Sequence, residues 1–437
     1  EMVKNYGGVP LVLTVQDPTA GDELNLPRSK TSECIARIVK DLDDAIPMLP
    51  EKWTDENYGR IDKGAAMAFK GKVLLFWASP QFNPGDDGGR WTEAYNANKE
   101  ALDHLIDQGK ALYPDYGMLW FNEMNSEAII VHRYFYPGHT WSIRGLTSGS
   151  GGNDRPTLEL VNAYPMKDGS DFNPEEGYEG FWQNRDNRFY ATIAYPGSPY
   201  GTWNVTDVGD KYIWNHFVVN EEGIFTSYDH GYQNNFSINP TGFYRKKALD
   251  TTLVSSTKDY CELDWIEMRL AEVMLNYAEA ANEAEHPDEA LDMLYQIRER
   301  AGIEEGTGNY GITETSKVGI RERIKKERFV ELAFENKRWD DLRRWRMFDY
   351  LNEIEVRHGL FCIIEDINES PNGDANVNDW ADKFIYEVVE CENKERGYRF
   401  NLQEHHYFFG IPLTHMERNP NLEQTQGYDN GTFDPLK

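Results

Sequence analysis

Apolar residues keep a helical rhythm in two stretches of this chain and lose it between them. Cys34, Ile35, Ile38, Val39, Leu42, Ala45 and Ile46 recur every three or four residues, the stripe of a helix over about 33–46. Ser29, Thr31 or Ser32 can cap it, and Pro47 and Pro50 stop it because proline lacks the amide donor. A second helix is predicted over 63–79, where Gly64, Ala65, Ala66, Ala68 and Gly71 imply close packing on a neighbour. A third follows over 92–108. The rhythm returns over 262–285, along Trp265, Met268, Tyr277 and Ala281, then over 288–301, 318–335 and 338–348. Asp288 and Glu289 open the helix over 288–301 while Arg298 and Arg300 close it, as the helix dipole favours. Regular helices with short joints predict an all-α core of stacked antiparallel pairs.

From about Tyr113 to Tyr244 no long helical period survives. Glu127 to Tyr134 and Lys211 to Val219 each suit a strand, Arg185 to Ala194 a short helix or turn, and Gly149 to Asn153 a loop. Aromatic residues concentrate here among Gly, Asn, Asp, Ser and Pro: Trp141, Trp182, Trp203 and Trp214, with tyrosines that include Tyr164, Tyr195, Tyr200, Tyr228 and Tyr232. Rings on loops with amides and carboxylates nearby suit a polar ligand with apolar faces, such as a sugar. More than half of these rings are expected in the core, Phe189, Tyr190 and Phe243 among them. Trp203, two residues after Gly201 and followed by Asn204, is the first candidate for an exposed platform. Trp182, two residues before Asn184, and Trp214, beside Asn215, come next, and Tyr228 and Trp141 complete the candidate ligand site. His132, His139, His216 and His230 share the region. Four parts are expected: residues 1–125, the N-terminal helical part of the core; 126–246, an irregular ligand-binding layer; 247–350, the C-terminal helical part; and 351–437, an irregular segment packed back through Tyr407-Phe408-Phe409.

Charge narrows the function. Lys and Arg number 45 against 74 Asp and Glu, a formal net charge of −29 in 437 residues. That balance argues against nucleic acid, which selects a basic stripe, and against a helix lying on anionic lipid. The four cysteines, Cys34, Cys261, Cys362 and Cys391, show no spacing that selects a pairing, and Cys34 and Cys261 fall in helical patterns. Glu1 to Tyr6, ended by Gly7-Gly8 and Pro10, reads as the last turns of a helix, so further sequence is expected before it.

Sequence motifs assign no catalytic residue, cofactor or metal. No H-E-x-x-H occurs, Gly149-Ser150-Gly151-Gly152 lacks the Lys-Ser/Thr ending of a phosphate loop, and Asp366, Glu369, Asp374 and Asp379 miss the calcium-loop spacing. Glu327, Glu331 and Glu335 share one helix face, with Arg338, Arg343 and Arg344 within reach. The spacing predicts a structural salt-bridge network joining two helices.

Several segments resemble the SusD/RagB family of Bacteroidetes outer-membrane lipoproteins. They are Tyr6-Gly7-Gly8-Val9-Pro10; Asp41 to Pro50 with Gly59-Arg60 and Lys63-Gly64-Ala65-Ala66; Arg269 to Ala280 with Ile297 to Gly302; and Glu327 to Trp345. Arg185 to Ile193, Asn239 to Tyr244, Ile411-Pro412 and Asn419 to Gln424 add to the match, in the same order along the chain. The resemblance implies tetratricopeptide-like helix pairs, an alpha/alpha superhelix, supporting a variable aromatic-rich binding region. It also implies a non-catalytic protein anchored by an N-terminal lipid at the cell surface of the outer membrane. There it would capture an oligo- or polysaccharide for a SusC-like TonB-dependent transporter. The alternatives are a glycoside hydrolase on a helical scaffold, with carboxylates drawn from Asp186, Asp207, Asp210, Glu221 and Glu222, or a peptide- or protein-binding helical repeat.

Overall fold

The structure is a computed structural model of the chain. It describes all residues except 141–153, 200–211, 220–224, 230–231, 235–239, 251–259, 366–370, 372–374 and 392–398. The helices are α1 (Met2–Tyr6), α2 (Thr31–Ala45), α3 (Lys63–Ala78), α4 (Gly88–Asp107), α5 (Leu158–Ala163), α6 (Asn187–Thr192), α7 (Leu270–Glu283), α8 (Pro287–Arg300), α9 (Lys317–Glu331), α10 (Arg338–Arg344), α11 (Phe348–Ile354) and α12 (Leu413–Arg418). The strands are β1 (Ala128–His132), β2 (Ile193–Ala194), β3 (Ser198–Pro199), β4 (Tyr212–Ile213), β5 (Asn215–Val219), β6 (Phe225–Asp229), β7 (Tyr232–Asn234), β8 (Tyr244–Arg245), β9 (Trp265–Arg269), β10 (His358–Ile364) and β11 (Ile385–Glu390). No described helix is long and apolar enough to cross a membrane.

Helix pairs form the body. Asp62 caps α3, its carboxylate accepting from Ala65 N at 2.8 Å, and Asp87 caps α4 in the same way through Gly89. The small residues of α3 let α4 come close: a Cβ on Gly71 would sit 2.5 Å from Asn98 Oδ1, and one on Gly64 would sit 2.8 Å from Leu105. Helix α7 is buried at every position from Leu270 to Asn282 and packs on α4, α8 and α9. Leu102 and Leu105 of α4, Leu275 and Ala278 of α7, Leu294 and Ile297 of α8 and Ile320 and Ile324 of α9 share one apolar core.

Two expectations change here. The helix predicted over 262–285 begins at Leu270; residues 265–269 are strand β9, where Ile266 and Met268 are buried and Glu267 is exposed, a two-residue period. Cys261, placed in a helical pattern by its neighbours, lies before β9 as a buried free thiol.

The region read as irregular also supplies most of a five-stranded sheet, in the order β11-β10-β5-β6-β7. Strand β10 pairs antiparallel with β11 and parallel with β5, with Ile363 opposite Phe217. Alternation along β10 serves two cores. Leu360, Cys362 and Ile364 face a cluster with Phe189, Trp214 and Phe243, while Phe361 and Ile363 pack on Phe217. The Phe217 and Phe361 rings stack at 3.7 Å. In the C-terminal segment Tyr407 and Phe408 pack against Phe82, Leu342 and Phe348.

A buried charge network ties these parts together. Arg188 contacts Asp186 (2.7 Å), Glu327 (2.5 Å) and Glu331 (2.9 Å). Arg269 contacts Glu127 (2.6 Å), Glu331 (2.6 Å) and Glu335 (2.7 Å). Arg298 reaches Glu327, Arg300 reaches Glu127 and Glu331, and Lys247 reaches Glu335. Five cations thus meet five carboxylates, none more than 4% exposed. The expected partners of Glu331 and Glu335 are therefore corrected. Arg344 instead pairs with Glu279 and Asp341, Arg343 donates to Asn5 and to main-chain oxygens, and Arg338 lies over the Phe329 ring at 3.9 Å. Burial alone would raise the Glu331 carboxyl; the charges of Arg300, Arg269 and Arg188 outweigh it and hold it well below the usual range.

Candidate ligand-binding site

The Ala-Ile-Ile-Val run of β1 favours a strand, and β1 pairs antiparallel with β9, Val131 opposite Ile266 and His132 opposite Trp265. Beneath this ribbon Trp120 and Trp265 meet at 4.9 Å, within a cluster that includes Leu119, Ala128, Ala248 and Ile266. The ribbon is therefore a firm support. Past His132 the chain leaves it and turns back on itself: Phe135 N donates to His139 O (2.7 Å) and His139 N to Phe135 O (2.8 Å). Two carboxylates fix the approach. Asp264 accepts from Tyr134 N and Glu262 from Tyr136 N, both at 3.0 Å.

This turn presents an aromatic ledge. Phe135 is 60% exposed, Tyr136 59% and Tyr260 48%, large values for such rings. Tyr136 and Tyr260 meet edge to face at 5.5 Å. Beside them His132, Tyr134 and His139 form a triangle with centroids 4.6–5.2 Å apart. A Cβ on Gly138 would lie 2.4 Å from the Phe135 ring, so glycine lets that ring fold over the turn. Arg133 reaches Asp264 at 3.3 Å and lies over the Tyr58 ring at 5.4 Å. Burial, reinforced by the Asp264 charge, raises the Tyr58 phenol above its usual range and keeps it neutral. The ledge thus offers flat apolar faces edged by imidazole, phenol and guanidinium groups, a surface able to desolvate one side of a polar ring while bonding its rim.

The residues expected from sequence are distributed differently. Trp182 is 3% exposed; it stacks on Tyr195 at 5.9 Å and donates to Asn378 at 3.2 Å. Trp214 is wholly buried beside Trp380 and Phe384. Both indoles complete the core under the sheet and present no free face. Tyr228 is the fourth residue of β6, opposite His216 on β5. Trp141, Trp203 and Asn204 lie outside the described residues, as do His230, Asp207, Asp210, Glu221 and Glu222. Phe189 and Phe243 are core residues as expected, and Tyr190 is half-buried. Asp186 is buried, capping α6 and pairing with Arg188. His132 and His139 do share the ledge, whereas His216 is buried. The rings of Phe135 and Tyr136 were not singled out. The run Tyr134-Phe135-Tyr136 before Pro137-Gly138, three aromatics entering a turn, is the signal that marks them.

Residues 119–428 match the family model described as the SusD family, and residues 1–75 match a model described as "Starch-binding associating with outer membrane". The SusD-like protein P38 of Formosa agariphila is 23% identical over 368 residues, covering 78% of this chain and 62% of that protein. The SusD-like protein P25 of the same organism is 24% identical, covering 82% of this chain and 63% of that protein. The chain therefore spans less than two thirds of the length of these relatives. Among solved structures, a SusD-like protein from Bacteroides fragilis has a TM-score of 0.72 at 25% identity, covering 98% of this chain and 76% of that one. A SusD-like carbohydrate-binding protein from the same species has a TM-score of 0.67 at 21% identity, covering 97% and 76%, a likeness of fold.

Proposed function

Since the chain belongs to the SusD/RagB family, we propose that it binds an oligo- or polysaccharide at the outer-membrane surface and passes it to a TonB-dependent transporter of the SusC type. In this reading it performs no catalysis, and a lipid anchor N-terminal to Glu1 holds it at the membrane. The observation that carries the proposal is the ledge: Phe135, Tyr136 and Tyr260 exposed together on a ribbon whose underside is packed with indoles. A pyranose has an apolar C–H face that such rings desolvate, and His132, Tyr134, His139 and Arg133 are placed to bond its hydroxyls. Glu262 and Asp264 hold backbone amides, which supports binding over bond cleavage. Within the same proposal, Trp141, Trp203 and Asn204 are further contacts for the glycan.

The test is titration of the purified protein against plant, host and microbial polysaccharides, with release of reducing ends followed in parallel. Saturable binding without new reducing ends is expected. Steady release of ends would replace capture with hydrolysis, and absence of binding across the panel would remove the glycan reading.

A further inference from the structure

A cavity of about 170 Å³ lies beside β1, between the 51–62 segment and the turn after α4. Ala128, Ile129 and Val131 of β1 form one wall. Three residues separate Val131 from Tyr134, a reach of at most about 11 Å, so cavity and ledge are neighbours. Arg133 joins them: a Cβ on Gly59 of the cavity wall would lie 2.9 Å from the Arg133 side chain.

Its charges are unlike those of the molecule. Lys52, Arg60 and Lys110 all line the space, and none has an ion pair among the described residues. Of the two lining carboxylates, Glu51 is held by Lys63 at 2.7 Å and lies 3.4 Å from His104 Nε2. Asp62 spends one oxygen on the cap of α3. Three cations thus face one carboxylate without an ion pair, in a protein of net charge −29. Lys110 is half-buried, and its ammonium donates to Ala128 O, which leaves two N–H groups for a ligand. Arg60 lies 5.7 Å from the Trp53 ring centroid, and Trp53 Nε1 is fixed by Ile61 O at 2.9 Å. An indole wall with cations around it suits a sugar ring that carries an anion.

Resting on the glycan reading above, we propose that this cavity is a subsite for the anionic substituent of the bound glycan, a carboxylate or a sulfate ester, held by Lys110, Arg60 and Lys52 beside Trp53. Charge-assisted hydrogen bonds to such a group are about twice as strong as neutral ones, and the half-buried Lys110 is the least screened of the three, Lys52 and Arg60 being exposed. A neutral glycan would leave these cations without an ion pair.

The experiment is calorimetric titration of wild type, Lys110→Met and Arg60→Gln with four polymers: polygalacturonate, its carboxyl-reduced form, a sulfated galactan and its desulfated form. Binding of one acidic polymer is expected to fall at least tenfold in each variant and on neutralising the polymer, with unchanged melting temperature. Which acidic polymer responds separates uronate from sulfate. Equal binding of acidic and neutral forms, or full affinity in both variants, overturns the subsite and leaves glycan capture standing. Failure of wild type to bind any of these polymers or any glycan of the wider panel overturns the reading beneath it, and the subsite with it.

Discussion

Single side chains divide here into those that meet solvent and those that hold the body. Phe135 and Tyr136 are exposed, so truncating them removes contact area without opening the core. Tyr136→Ala is expected to weaken glycan binding at least tenfold, about 1.4 kcal/mol, with an unchanged melting curve. A binding isotherm matching wild type would remove Tyr136 from the site. Glu331 has the opposite character, since it meets Arg188, Arg269 and Arg300 inside the protein. Glu331→Ala leaves buried cations uncompensated and is expected to cost about 3–5 kcal/mol in urea unfolding. A loss below 1 kcal/mol would show that water or a neighbouring carboxylate replaces it. Trp182→Ala serves as contrast: this indole is core, and the substitution should cost about 3–5 kcal/mol of stability.

At the scale of elements, the crossing of the 240–243 segment over β10 joins sheet to helices. Gly242 has φ +76°, and a Cβ there would lie 2.0 Å from Leu360 O. Leu360 N bonds Thr241 O at 3.0 Å, and Asn215 reaches Gly242 O. Gly242→Ala therefore requires the backbone to move apart and is expected to lower stability by about 1–3 kcal/mol, read as a shift in denaturation midpoint. Helices were the legible elements, because a 3.6-residue stripe is local: α2, α3, α8 and α9 fall within a few residues of their predicted spans. The sheet was not legible as a sheet. Its parallel pair joins Phe217 to Ile363, and no local period announces a partner so distant. Strand β9 was hidden because Trp265 and Met268 are spaced three apart, which suits a helix as well. The same limit governed the site. Spacing put Glu327, Glu331 and Glu335 on one face yet said nothing of Arg188 or Arg269, which arrive from other elements. An amide side chain beside an indole, Gln183 or Asn215, marks neither burial nor exposure, so Trp182 and Trp214 could not be told from surface rings.

The whole molecule should be sensitive to acid in a defined order. Burial pushes the His216 imidazole down to about 4. As pH falls below about 6.5 the unfolded chain takes up a proton there that the folded one refuses, and stability declines through about 4. Carboxylates act next. Burial alone would raise Glu272, but Lys72, Lys337 and Arg328 hold it down to about 2, and Glu331 is likewise depressed. The Glu272 contribution is complete above about 4.5 and is lost as pH falls toward about 2, and that of Glu331 is lost in the same direction. Thermal melting across pH 7 to 2 should show a shallow decline followed by a steep one, and a flat profile to pH 3 would contradict the network's role. That network draws its members from positions 127, 186, 188, 247, 269, 298, 300, 327, 331 and 335. The intervening spans are pinned at both ends, and lengthening a pinned span costs little, since each doubling of a loop adds only about 0.6 kcal/mol of closure entropy. The arrangement is thus a socket: the chain between the pins can lengthen or shorten at little cost while the buried charges hold the body in register.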